Sequence, residues 1–363
     1  VSAETWNEFV RMSGCALAVA GVAVPAGLLA WAVARRTGDW LLPRPRGWRV
    51  PWGGFEVFAA LAVVSQVVPL LVGSALSGSG VIELAYAPER LTLPAESESA
   101  SAAAAGTAAA SVAHDRAAKA AATVRMVWVG LTSLPLQLGL LLAVRATLFP
   151  SWRPPIRRPG LAGSVALAVI AWAVLLLVVL GVHFGVILAF DALGWPIEEH
   201  PLTQLTAERP RLDQILFALQ ACVAAPLLEE VLFRGVLLPW LLGRAYRPWP
   251  VLGVAVLLGA ALAGGNDFGV LLRGPTLFAA ALVGGWAVLA AVLPRKRRTW
   301  GAIYASAALF AVVHSGVWPS PIPLFVLGLG LGWLAVRTRG VLVPTIVHGL
   351  FNAVSVLLVL RGG

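Results

Sequence analysis

The sequence predicts an all-α fold, a polytopic transmembrane bundle of about eight to ten spans. Three observations predict it. Hydrophobic residues make up 59% of the chain and charged residues only 12%, whereas soluble domains carry roughly 45–50% and 25%. The apolar residues gather into runs of about 20 residues, the length that crosses a hydrocarbon core of about 30 Å. The charges between the runs alternate in sign along the chain, as membrane topology requires.

In order, the runs are 14–34, 55–76, 124–144, 161–190, 212–240, 249–264, 275–294, 300–318, 321–336 and 341–360. Counted singly they give about ten spans, or about eight if 249–294 only dips into the membrane. Only Pro319 and Ser320 separate the runs 300–318 and 321–336, which predicts a tight helical hairpin.

With the first run passing from outside to inside, the inside loops hold Arg35, Arg36, Arg44, Arg46 and Arg49, then Arg145, Arg153, Arg157 and Arg158. Arg244, Arg247, Arg295, Lys296, Arg297, Arg298, Arg337 and Arg339 complete the inside set, whose only acid is Asp39. Most of the acids fall outside, among them Glu83, Glu89, Glu96, Asp115, Asp191, Glu198, Glu208 and Asp267. Lys and Arg stay on the cytoplasmic side, so this alternation sets the orientation. The net charge of +10 is therefore topology. Dispersed over short loops, it makes no nucleic-acid footprint, and the surrounding partner is membrane lipid.

The N-terminal run is a span rather than a signal peptide. Glu4 and Glu8 precede it and Arg35 and Arg36 follow it, the reverse of a signal peptide's charge order. Residues 1–200 make an N-terminal membrane region of about four spans. Its Ala/Ser-rich stretch at 96–123 is an outside loop for which helix and disorder are both open, since alanine favours helix and low complexity favours disorder. Cys15 and Cys222 lie inside apolar runs and are expected to be small core residues, not a disulfide pair.

The ionisable residues inside the runs carry most of the information. A charge at the centre of a membrane helix costs about 2.5–3.5 kcal/mol on insertion scales, and such residues usually face the bundle interior and mark a site. In PLLEEVLFRG, residues 226–235, Arg234 lies one turn after Glu230, so these two can pair. Glu229 points about 100° away and is left uncompensated, which makes it a candidate proton acceptor. Pro226 just upstream removes a backbone hydrogen bond and predicts a kink. FAVVH at 310–314 supplies His314, and HGLFN at 348–352 supplies His348 and Asn352 on one face. His183 has no polar neighbour at helical spacing and is expected to be structural, while His114 is a loop residue. Glu56, Gln66 and Gln137 are expected to join helices.

These three motifs, in this order, resemble the CAAX-processing and bacteriocin-processing proteases, the intramembrane glutamic endopeptidases. The resemblance covers about 209–360, within a region 201–363 that carries an apparent insertion at about 245–298. It implies a protease-like helical core and the hydrolysis of a peptide bond in a membrane-associated protein or peptide. It also implies roles. Glu229 would be the general base and His314 would help to position and deprotonate the water. His348 and Asn352 would stabilise the oxyanion, and Glu230 and Arg234 would hold the geometry. Peptide hydrolysis needs such an activated water and such donors.

No cofactor is expected. Zinc is the alternative, because Glu229, His314 and His348 make a two-histidine, one-carboxylate set, although the HExxH spacing of common zinc proteases is absent. Other function classes are a non-catalytic membrane scaffold or immunity protein with the same fold, and a proton-coupled transporter. Every motif residue is present, which argues against the first. The polar groups cluster at one place without an inverted repeat, which argues against the second. The Ala-, Gly- and Arg-rich composition points to a GC-rich bacterial gene and a cytoplasmic-membrane location.

Overall fold

The computed structural model describes residues 50–79, 107–151, 160–195, 197, 211–243, 248–262, 274–292 and 297–362. Among them the chain forms nine helical runs and no strand. These are α1 (Gly54–Gly78), α2 (Thr107–Leu148), α3 (Leu161–Leu193), α4 (Arg211–Gly243), α5 (Trp249–Leu262), α6 (Gly274–Val292), α7 (Arg297–Val312), α8 (Pro321–Thr338) and α9 (Leu342–Gly362). The run at 14–34, the charge order around it, residues 96–106 and much of the loop charge lie outside the described residues. Residues 107–123 continue the helix of α2.

Six of these helices are long and apolar enough to cross a membrane: α1, α2 from Val124, α3, α4, α6 and α8. The protein is a multi-pass membrane protein. The remaining three have shorter apolar parts, Trp249–Leu262, Thr299–Val312 and Leu342–Leu358. At 1.5 Å per residue, such helices span roughly 20–26 Å, short of a core of about 30 Å. Beside the expectation of about eight to ten spans, the described residues thus hold six full-length candidates and three shorter apolar helices, and the run at 14–34 lies outside them.

Run 300–318 is also corrected. Its helix starts at Arg297 and stops at Val312. His314 and Ser315 donate their N–H groups only three residues back, to Ala311 and Val312, the tightening typical of a helix end. Residues 313–320 form the connection, so the hairpin joint is longer than the two residues expected. α3 ends differently. Gly194 has φ 64 and closes the helix with bonds back to Asp191 and Phe190, the left-handed cap that glycine adopts freely.

Compact packing divides the chain into two units. The first comprises Val1–Gly54, Trp152–Glu199 and Glu229–Phe351. Its core joins Leu167 and Val179 of α3 to Leu327, Leu331 and Leu334 of α8 and to Val343 and Val347 of α9. α8 is the enclosed helix: 56% of its apolar window is buried, against 28% for α3. Lipid is as apolar as leucine, so close packing between helices, rather than removal from water, holds such a core together.

The second unit comprises Phe55–Ser151, His200–Leu228 and Asn352–Gly363. Here Val127, Phe217 and Val356 pack together with Cys222 against them. Gln137 of α2 donates to the Val64 carbonyl of α1 at 2.9 Å, so it joins two helices as expected. Gln66 instead bonds Ser65 beside it.

Three π-turns interrupt these helices, and each ends two residues before a proline. In α1, Val63–Val67 precedes Pro69; in α4, Gln220–Ala224 precedes Pro226 and Val231–Leu237 precedes Pro239. A proline lacks the N–H and its ring crowds the carbonyl four residues back. Widening the preceding turn by one residue relieves that contact, and π-turns of this kind cluster at functional sites. The kink expected at Pro226 takes this form. At Pro135 the helix of α2 stays α-helical.

Candidate active site

The titratable groups of the site lie in the first unit, on two helices and a turn. Glu229 and Glu230 lie on α4, with Arg234 one turn further on. His348 lies on α9. His314, expected inside a span, sits on the turn that follows α7.

The buried base of the site is the pair Arg234–Glu230. Arg234 Nη1 donates to Glu230 Oε1 at 2.7 Å, and both side chains have no exposure. Arg234 Nη2 donates to the Gly328 carbonyl of α8 at 3.3 Å. The guanidinium also lies 4.5 Å from the centre of the Phe310 ring, a cation–π contact that favours arginine in a dry place. Glu230 Oε1 is shared, because His348 Nδ1 is 3.1 Å from it. An ionised carboxylate only accepts, so Nδ1 is the donor.

Above this pair stands Glu229. Its Oε2 atom is buried and has no hydrogen-bond partner in the protein. It faces His314 Nε2 at 3.8 Å and His348 Nε2 at 3.9 Å. Glu229 and His314 are partly open, at 26% and 32% exposure, while His348 is enclosed at 4%. His314 Nδ1 lies 2.7 Å from the Phe310 carbonyl. A carbonyl cannot donate, so Nδ1 carries the proton and a neutral His314 presents a bare Nε2 towards Glu229. A neutral His348 does the same, its Nδ1 proton being on Glu230. With both rings neutral, Arg234, Glu229 and Glu230 leave the cluster with one net negative charge (+1 − 1 − 1). The arrangement is an acceptor-rich pocket that can take up a proton.

Asn352 bonds within the second unit. It lies one turn after His348 on α9, in the second unit, and its Nδ2 donates to the Ala221 carbonyl at 2.8 Å. His183 makes an edge-to-face contact with Phe184 beside it.

Two contributors were not singled out from the sequence. Phe310 is fully buried; its ring lies 4.8 Å from that of His314 and 5.7 Å from that of His348, and Phe233 packs edge-on at 5.3 Å. It forms the floor of the site as well as the acceptor for His314. Its place one turn before His314 was the available signal. Gly328 supplies the carbonyl for Arg234, and the run Gly328, Gly330, Gly332 in an apolar helix was its signal.

Gly328 lets α8 approach α7 closely. A Cβ there would stand 3.1 Å from Ala307 Cβ, 3.2 Å from Ala307 Cα and 3.3 Å from Phe310 Cδ1. Backbone and a packed ring cannot yield easily, so Gly328→Ala is expected to destabilise by about 1–3 kcal/mol. The melting temperature in detergent checks this, and an unchanged value would show that α8 shifts freely. Phe310→Leu keeps an apolar side chain but removes the ring beside Arg234. It is expected to lower stability by about 0.5–2 kcal/mol through loss of the cation–π contact, read by the same melt.

Residues 211–300 and 286–354 match the family model described as type II CAAX prenyl endopeptidase Rce1-like. No curated protein and no solved structure matches the chain.

Proposed function

We propose that the protein is an intramembrane endopeptidase, a reading supported by the match of residues 211–354 to the Rce1-like type II CAAX prenyl endopeptidase model. It hydrolyses a peptide bond of a membrane-associated protein or peptide with a water activated by Glu229 and His314. One observation carries the reading: the unpartnered Glu229 Oε2, aimed at two imidazole Nε2 atoms 3.8 and 3.9 Å away. Separations of this size are ones that a bridging water spans.

In this mechanism the water donates one hydrogen to Glu229 Oε2 and the other to His314 Nε2. As its oxygen bonds to the scissile carbonyl carbon, one proton passes to Glu229 and the carbonyl π pair moves onto oxygen. His348 stabilises that oxyanion when both its nitrogens are protonated, Nδ1 on Glu230 and Nε2 on the oxyanion. Its extra proton also offsets the negative charge of the cluster. Collapse of the tetrahedral intermediate breaks the C–N bond, and Glu229 returns its proton to the leaving amine. Glu230 and Arg234 fix the orientation of His348 from below.

The GC-rich composition supports a bacterial cytoplasmic membrane as the location, where a small secreted peptide, an anchor protein or a regulator is a more natural substrate than a prenylated protein. The test is hydrolysis of a membrane-peptide library by the purified protein in detergent, with and without a chelator. Cleavage that survives the chelator supports the glutamate mechanism, and loss with chelator moves the site to zinc. A wild-type protein that leaves every peptide intact sinks the peptidase reading in favour of a scaffold or transporter.

A further inference from the structure

Asn352 donates to a backbone carbonyl, that of Ala221, and the local structure of that backbone explains the contact. In the π-turn of α4, the Ala225 N–H bonds back to the Gln220 carbonyl. In an α-helix that N–H would have served Ala221. The next amide in line is Pro226, which has no N–H. The Ala221 carbonyl is thus missed by both neighbouring donors, and Asn352 Nδ2 meets it at 2.8 Å.

The same construction occurs independently in α1. There the Val68 N–H bonds back to Val63, Pro69 follows, and the missed carbonyl is that of Val64. It receives the amide of Gln137 at 2.9 Å. The two carbonyls hold the same position, five residues before a proline, and both are filled by a carboxamide from another helix. At the third π-turn, Trp52 Nε1 donates to Val236 at 3.2 Å and Ser306 Oγ to Phe233 at 3.4 Å. That turn does not repeat the arrangement, because the carbonyl five residues before Pro239 is that of Arg234 and Phe233 already receives the Leu238 N–H. In a membrane no water is at hand to fill such a carbonyl, so the cost of leaving it empty is high.

We infer that Asn352 is a positioning residue, which caps the Ala221 carbonyl released by the π-turn and Pro226 and so fixes the helix that carries Glu229. Glu229 follows Ala221 by roughly two turns on the same helix. A tilt at the turn would move its carboxylate. This differs from a role as oxyanion donor. Only the activity arm of the test rests on the peptidase reading.

The two roles separate in a double-mutant cycle of Asn352→Leu with Pro226→Ala, measured by melting temperature in detergent and by peptide hydrolysis. Restoring an N–H at position 226 gives the helix its own donor and removes the need for Asn352. Asn352→Leu alone is expected to lower the melting temperature and to cut hydrolysis about tenfold. Pro226→Ala should return both to within about threefold or a few degrees of the Pro226→Ala single variant. If Asn352→Leu alone does not accumulate in membranes, recovery of folded yield in the double variant is the equivalent result. Additive losses in stability would overturn the inference. So would normal stability in Asn352→Leu with hydrolysis lost and unrescued, which would make Asn352 an oxyanion donor. If the wild type shows no hydrolysis, that failure belongs to the peptidase reading, and the stability cycle still decides the role of Asn352.

Discussion

Glu229→Gln is expected to cut peptide hydrolysis by at least about a hundredfold, the usual contribution of a general base, while the protein keeps its fold and melting temperature. The two halves of this expectation have one cause. Glu229 Oε2 has no hydrogen-bond partner in the protein, and two imidazole nitrogens stand 3.8 and 3.9 Å from it. Replacing an oxygen that holds nothing together breaks no structural bond, and Gln has nearly the same shape. It also removes the charge that Arg234 and Glu230 leave uncompensated, so stability should stay the same or rise slightly, as happens when a functional charge is neutralised. The Gln amide cannot accept the proton of an attacking water, so chemistry stops. Melting curves and hydrolysis rates of the two proteins in one detergent check both halves. A variant that hydrolyses peptides at the wild-type rate would remove Glu229 from the reaction; one that unfolds would make Glu229 a structural residue.

The contrast between Glu229 and Glu230 was legible in the sequence, because helical spacing gave Arg234 to Glu230 and left Glu229 alone. The pairing is found at 2.7 Å. Helical type and the apolar runs were legible for the same reason, since both are local properties of about one window of sequence. Helix ends were not. His314 stood in an apolar run that continues through Val317 and Trp318, yet the helix stops at Val312; Ser315, Gly316 and Pro319 decide the ending, and hydropathy does not register them. Nor were the π-turns legible. Proline predicted a lost hydrogen bond at 226, but the local sequence does not separate a helix that stays α-helical, as at Pro135, from one that widens, as at Pro69. The floor of the site had a local trace only in retrospect, because the carbonyl of Gly328 is ninety-four residues from the arginine it receives.

Arg234→Ala is expected to be the most destabilising single change in the site, at about 3–5 kcal/mol, the cost of leaving a buried charge without its partner. Neither side chain of the pair has any exposure, so solvent cannot take over the role of the guanidinium. The loss reaches further than one ion pair. The Gly328 carbonyl loses a donor, the Phe310 ring loses its cation, and Glu230 keeps only His348. Neutralising both partners separates charge from geometry: Glu230→Gln with Arg234→Met should recover most of the stability, because a buried pair replaced by uncharged residues of similar volume is often neutral or better. Hydrolysis should not recover with it. His348 would then face an amide in place of a carboxylate, and the proton on Nε2 that the oxyanion requires would lose the negative charge supporting it. Denaturant-induced unfolding of the single and double variants, set beside their hydrolysis rates, checks this. Recovery of both stability and activity in the double variant would mean that the pair is only a clasp between helices. Recovery of stability alone would show that the buried carboxylate also prepares His348 for the reaction.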